Sequence, residues 1–349
     1  MDTPIHPERL AVVLFQLGGP DAPEAVEPFL YNLFRDPDII DFPFARLARE
    51  PLARLVAANR AKKVTAHYGH LFEKFHGSPL NNNTRRQAEA LERELRTVFG
   101  AETRVILAMR YWHPLTSEAA ATAAEGHFDC IVLLPLYPQY SKTTTGSSLN
   151  EWYRHFRQDG VPMVTVEEFH DYGPYITAQV ERVNEALAQF PAGEPVELVF
   201  SAHGTPAHLA ESGDPYATQV AESTRLTLVH GYMHHGWTHP HRICYQSKVG
   251  PGRWLQPSLT NTIRELAAQH AKNVLVVPIA FVSDHIETLE EIAHDARDLA
   301  LSLGIQRFAM TEGLNDSPLF IRALAQLVRE HVDLSAVLLE AANVANQLS

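Results

Sequence analysis

The stretch Leu198-Val199-Phe200-Ser201-Ala202-His203-Gly204-Thr205-Pro206 decides how this chain folds, because its outline occurs twice. Val12-Val13-Leu14-Phe15-Gln16-Leu17-Gly18-Gly19-Pro20 has the same shape: an apolar run, a glycine, then a proline. Val132-Leu133-Leu134-Pro135-Leu136-Tyr137 likewise parallels Val276-Val277-Pro278-Ile279-Ala280-Phe281. Short β-branched runs bounded by Gly or Pro read as buried strands ending in turns. Their recurrence reads as a tandem pair of similar domains with a cleft between them. Two unrelated α/β domains also fit so loose an echo.

Working outward, the same signals mark eight strands: Leu10 to Leu17, Arg104 to Met109, Cys130 to Leu136, Met163 to Glu167, Val196 to Ser201, Arg242 to Tyr245, Asn273 to Phe281 and Gln306 to Thr311. Between them lie helical patterns at Arg85 to Val98, Tyr175 to Gln189, Tyr216 to Val229, Thr260 to His270, Thr288 to Ser302 and Pro318 to His331. Strands alternating with helices imply parallel pairing through right-handed crossovers.

The 349 residues are enough for two domains, and 45% hydrophobic with 20% charged residues describes a soluble globular chain. Twenty-nine Lys and Arg against 41 Asp and Glu give a formal charge of -12, which disfavours nucleic acid as a partner. The two cysteines, Cys130 and Cys244, sit in apolar runs and exclude a four-cysteine metal or iron–sulfur site within one chain. The start, Met1-Asp2-Thr3-Pro4-Ile5-His6-Pro7-Glu8, is acidic and interrupted by proline, unlike a signal peptide. The longest apolar run, Val274 to Val282, is too short to span a bilayer. We expect a cytoplasmic enzyme, with contact at the inner membrane face left open.

Ionisable groups gather where strands should stop, which is where open α/β sheets collect ligands. His203 ends one strand beside Gly204, and an imidazole with a free pKa of about 6.5 suits a base or ligand there. A structural histidine is the competing reading. Past the Asn273 to Phe281 strand, Glu287, Glu291 and Asp295 fall at i, i+4 and i+8, one acidic stripe on a helix. Such carboxylates raise one another's pKa and suit a divalent cation or a proton relay; a solvated helix face is the plainer alternative. Asp284 and His285 share the preceding turn and read as supports for Glu287 or as helix caps.

Arg110-Tyr111-Trp112-His113-Pro114 places a cation beside aromatics, fit for a flat anionic ligand or a surface cluster. Tyr137-Pro138-Gln139-Tyr140-Ser141-Lys142 offers hydroxyls and a cation without Walker spacing, and Gly18-Gly19-Pro20 is not a dinucleotide fingerprint. Of the 19 histidines, five crowd between His230 and His241. His230 and His234 are four apart and would share a helix face, but no carboxylate or cysteine completes a metal spacing, so the cluster reads as polar surface.

Together these motifs resemble the ferrochelatase family, enzymes that insert ferrous iron into a porphyrin. The resemblance rests on Gln16 to Asp21 with Val26 to Phe34, Gly77-Ser78-Pro79-Leu80 with Thr84 to Gln87, Met109-Arg110-Tyr111, Leu134 to Ser141, Ser201-Ala202-His203-Gly204, Tyr245 to Pro251 with Trp254-Leu255, and Pro278 to Glu291. They follow the family's order from near residue 10 to about 330.

The resemblance implies two Rossmann-like domains, each a four-stranded parallel sheet flanked by helices, with an active-site cleft between them. The first would hold residues 1–165 plus about 318–349, packed back, and the second 166–317. His203 and Glu287 match the family's active-site pair, as catalytic residues and metal ligands. Leu17, Arg110, Tyr111, Tyr137 and Ser141 fall where porphyrin would lie, and Glu291 and Asp295 continue an acidic path for protons or iron.

The implied reaction joins ferrous iron to protoporphyrin IX and releases two protons, with iron as substrate and no cofactor or iron–sulfur cluster. Leu17 stands where relatives using coproporphyrin tend to have tyrosine, which favours protoporphyrin IX. Ala293 replaces a commonly acidic position, so the path would be shortened or rebuilt with His294. Coproporphyrin III chelation, another class II tetrapyrrole chelatase, and a tetrapyrrole carrier without turnover are the alternatives.

Overall fold

The structure, a computed structural model, describes residues 7–39, 45–158, 160–248 and 252–347. Met1 to His6 and the Val249-Gly250-Pro251 part of one motif lie outside the described residues. The strands are β1 (Leu10–Gln16), β2 (Arg104–Met109), β3 (Cys130–Pro135), β4 (Met163–Thr165), β5 (Glu197–His203), β6 (His241–Gln246), β7 (Asn273–Pro278) and β8 (Arg307–Met310). The α-helices are α1 (Val26–Phe34), α2 (Ala45–Phe75), α3 (Pro79–Phe99), α4 (Thr116–Glu125), α5 (Ser147–His155), α6 (Gly173–Leu187), α7 (Ala207–Glu211), α8 (Tyr216–His235), α9 (Leu259–Ala268), α10 (Arg297–Ser302) and α11 (Pro318–Gln347). Glu287–Ala296, read from spacing as ordinary helix, is instead a wider π-helix that runs into α10.

The strands form two four-stranded sheets, β2-β1-β3-β4 and β6-β5-β7-β8, and every pairing is parallel. The order is the same twice, so β1 corresponds to β5 and β3 to β7, the two pairs whose sequences echo each other. Parallel strands covered on both faces need apolar residues on both sides. In β1, Leu10, Val12 and Leu14 face one cluster while Ala11, Val13 and Phe15 face another. In β7, Leu275 and Val277 turn one way and Val274 and Val276 the other.

The first of these clusters is shared. It draws on β1, β3, β5 and β7 and on helices α3, α6, α8 and α11, so both sheets press their inner faces on one apolar layer. Helix α11 packs on α3, α6, β3 and β4, returning the chain to the first sheet. The division expected at residue 165 falls at the end of β4.

Helix α2 has no counterpart in the sequence reading. Its buried stripe is Ala53, Ala57 and Ala61 with Phe72, packed against Val26, Leu30 and Phe34 of α1. Small residues at i, i+4 and i+8 bring two helices together without a strong hydrophobic period, and Pro51 further obscures the pattern. Among the described residues no helix is long and apolar enough to cross a membrane.

Candidate active site

Because β5 and β7 are neighbours, the groups past their carboxyl ends converge. His203 is the last residue of β5, and Glu287 opens the π-helix after the β7 turn. His203 Nδ1 lies 3.2 Å from Glu287 Oε2, and each side chain is 35% exposed. His285 adds its Nε2 at 3.6 Å from the same carboxylate oxygen and sets its Nδ1 3.2 Å from the Ser283 carbonyl. Phe281 stands edge-on to His203 at 6.3 Å and against His285 at 4.5 Å between ring centres. From α8, the Tyr216 hydroxyl donates to the His203 carbonyl at 3.1 Å, fixing the backbone beneath the imidazole.

Charge makes this cluster a proton-holding unit. Burial acts to lower the His203 pKa, but the carboxylates of Glu287 and Glu291 outweigh it and the imidazole is raised. Burial pushes Glu287 up, yet His203 and His285 pull it well below the usual carboxylate range. One turn on, burial and the Glu287 charge raise Glu291, against the Ser247 hydroxyl that donates to it. Neighbouring carboxyls are thus shifted in opposite directions, Glu287 down and Glu291 up.

The Asp284 side chain does not orient Glu287. It accepts from the Gly313 amide at 3.1 Å and Asn315 Nδ2 at 2.8 Å, tying the β7 turn to the turn before α11. Asn83 of α3 donates to the Asp284 carbonyl at 2.8 Å, and the Ser283 hydroxyl donates to Gln87 at 3.1 Å, so α3 of the first half braces the turn that leads to Glu287. Gly204, a residue type that often marks an unusual turn, is used differently here. Its φ is not left-handed; a Cβ there would lie 2.8 Å from the Gln246 carbonyl, to which the Gly204 amide donates at 2.7 Å. Close backbone approach, not an unusual turn, requires this glycine.

The first-half residues sit at the matching strand ends but are largely committed within the protein. Arg110 pairs with the fully buried Asp36 side chain at 2.9 Å and with Glu151 at 3.6 Å, and its Nε donates to Ser147 at 2.8 Å. Arg110 is therefore the counter-ion of an internal acid in this structure, neither a surface cation nor an open one. Tyr111 is completely buried; its hydroxyl donates to Asp36 at 2.7 Å and its ring meets Phe29 edge-on, so in this structure no open face is offered to a planar ligand. The Tyr137 hydroxyl is 3.4 Å from Ser148, and Ser141 donates to Asp214 at 3.1 Å. Leu17 is half-buried, its carbonyl accepting from the Tyr111 amide at 2.9 Å.

Glu291 and Asp295 line a cavity of about 550 Å³ with Gly204, Tyr245, Ser247 and Trp254. Gly204, next to His203, and Glu291, one turn past Glu287, set this cavity next to the pair, which does not itself line it. His294 joins the acidic residues, its Nδ1 3.4 Å from Asp295 and 4.0 Å from the buried Glu290. Asp36, Asn83, Gln87, Tyr216 and Ser247 escaped the sequence reading as site residues. Gln87 and Ser247 lay inside the segments that carry the family resemblance, the others only in polar loops and helices, and contacts between distant segments created the roles of all five.

The chain thus folds as two parallel sheets of one strand order, with an imidazole and carboxylates past the strand ends of the second, a fold that solved chelatases share. SirB from Bacillus subtilis with Fe3+ shares the fold at a TM-score of 0.53 and 11% identity, over 93% of this chain and 96% of that one. The sirohydrochlorin chelatase SirB of subspecies spizizenii in complex with cobalt matches equally, at TM-score 0.53 and 11% identity over the same shares. The ferrochelatase family profile matches residues 9–332. The chain is 43% identical over 326 residues to the ferrochelatase of Caulobacter vibrioides, covering 93% of this chain and 91% of the relative. It is 42% identical to that of Aquifex aeolicus, covering 93% of this chain and all of the relative. The chain belongs to the ferrochelatase family.

Proposed function

We propose that this ferrochelatase inserts ferrous iron into protoporphyrin IX, with His203 accepting pyrrole protons and Glu287 holding the charge that makes His203 basic. The observation that carries this reading is the 3.2 Å contact between His203 and Glu287 at adjacent strand ends, backed by Glu291. A free porphyrin carries two N–H groups where the metal must sit. Binding energy from the macrocycle is available to distort the ring and tip its lone pairs out of plane. Two N–H bonds break and two protons leave as iron takes all four ring nitrogens, so the charge balances and iron stays ferrous throughout. Glu291 and Asp295 lead from the pair into the adjoining cavity and offer the route for those protons or for iron.

Leu17 supports protoporphyrin, because an apolar side chain at the end of β1 suits vinyl groups better than the extra propionates of coproporphyrin. Iron enters as substrate, and no cluster is invoked. Burial pushes the Cys130 thiol up to about 11 and Cys244 up to about 12, so both stay protonated inside their strands.

The test is anaerobic metallation of protoporphyrin IX and coproporphyrin III by the purified chain, followed by absorbance. Rapid haem formation with protoporphyrin, and a loss of about 10²–10⁴-fold in His203→Ala, are expected for a general base. Preference for coproporphyrin would overturn the substrate, full activity in His203→Ala would overturn the base, and tight porphyrin binding without metallation would indicate a carrier. Zinc should also be inserted, since imidazole and carboxylate bind it at least as well as ferrous iron.

A further inference from the structure

The far end of α8 carries a histidine pair that the active site does not use. His230 and His234 lie one turn apart near the helix C-terminus, and their ring centres are 5.9 Å apart with planes inclined at 61°. Two histidines at i and i+4 on one helical face are a chelating arrangement for a divalent cation. With metal–nitrogen bonds of about 2.0–2.1 Å, imidazoles sharing one ion have ring centres roughly 5 Å apart, so small side-chain rotations close the gap.

Both rings are available. Among the described residues no hydrogen bond or ion pair engages either ring, and Nδ1 of His230 is shielded from solvent without a polar partner. Their neighbour behaves differently: His235 pairs with Glu181 at 3.1 Å and stacks on Trp237, which accounts for it structurally. Met233, 69% exposed, and Tyr232, 63% exposed, leave this helix end open to solvent.

We propose that His230 and His234 form a second metal site, selective for borderline divalent cations such as Cu2+, Ni2+ or Zn2+ over ferrous iron. Imidazole ligands follow the Irving–Williams order, which places Fe2+ below all three. The site is remote from chelation. Tyr216, at the start of α8, touches His203, and His230 is fourteen residues further on, about 21 Å at the α-helical rise of about 1.5 Å per residue. Its effect would be to retain competing metals at the periphery, away from the porphyrin site.

Equilibrium dialysis of the full chain against Ni2+ alone, with His234→Gln and the double variant His230→Gln/His234→Gln, tests this. The double variant is expected to bind one equivalent fewer than the wild type, and His234→Gln to weaken that equivalent at least tenfold. Cu2+ bound to the wild type should show coupling to two imidazole nitrogens by electron paramagnetic resonance, lost in the double variant. Circular dichroism, and zinc insertion into porphyrin measured with Zn2+ in excess over both sites, should be unchanged in both variants, which separates this site from the active one. Equal Ni2+ stoichiometry and affinity in the wild type and the double variant would overturn the proposal, as would loss of the same equivalent in Glu287→Gln.

Discussion

At the scale of single residues, the His203–Glu287 pair has a pH signature with a definite sign. The raised imidazole contributes stability that is full below its ordinary value of 6.5 and is lost as pH rises through the folded value. The depressed carboxyl contributes stability present above its ordinary 4.5 and lost as pH falls through its folded value. The stability gap between wild type and Glu287→Gln should therefore be widest between about 4.5 and 6.5 and shrink on either side, as read from urea unfolding midpoints. Catalysis gives a second readout. If neutral His203 accepts the pyrrole proton, the rate of zinc insertion rises as the imidazole deprotonates. In Glu287→Gln only burial and the weaker Glu291 field remain, so that rising limb should move to lower pH while the maximum rate falls. A limb that stays in place would remove His203 as the base.

At the scale of elements, the β5-to-α7 turn and the π-helix do the positioning. Gly204 lets the chain leave β5 in contact with the end of β6, with its amide on the Gln246 carbonyl. In Gly204→Ala the new methyl group would meet that carbonyl at 2.8 Å, and the obstruction is backbone, which cannot rotate aside. We expect a loss of about 1–3 kcal/mol, the usual cost of overpacking, together with reduced metallation because His203 is the adjacent residue. Calorimetric melting checks the first and porphyrin turnover the second; unchanged values would show that the β5–β6 contact is slack. The π-helix matters for a different reason. With more than four residues per turn it keeps positions four and five apart on one side, so Glu287, Glu291 and Asp295 stay grouped while His294 also reaches Asp295 and Glu290.

At the scale of the whole molecule, the two sheets share one apolar layer. Leu10, Val12 and Leu14 of β1 belong to the same buried cluster as Leu198 and Phe200 of β5, Leu275 and Val277 of β7, and Phe320 and Leu324 of α11. Polar bonds add to that continuity: Gln139 after β3 donates to Ser223 on α8 at 3.0 Å, and the Tyr140 amide donates to Gln219 at 2.6 Å. Neither half can unfold without exposing the other's inner face. Scanning calorimetry should thus give one transition with equal calorimetric and van't Hoff enthalpies. Two resolved transitions would mean that the shared layer contributes little coupling.

The sequence by itself determined the eight strands, the repeated outline that implies the same sheet twice, and the placement of His203 and Glu287 at strand ends. Those features are local: apolar runs, glycine and proline punctuation, and residue spacing along one segment. Helix α2 escaped because its packing stripe is alanine, and the π-helix escaped because spacing of four fits both helix types. Tertiary structure alone decided which charges are free and which are spent. Arg110 and Tyr111 follow β2, a strand end read from the sequence as fit for a ligand, yet Asp36, more than seventy residues earlier, draws both inward. Their fate could not be read locally, because a side chain's charge is neutralised by whatever the fold brings within a few ångströms, and that partner has no fixed distance along the chain.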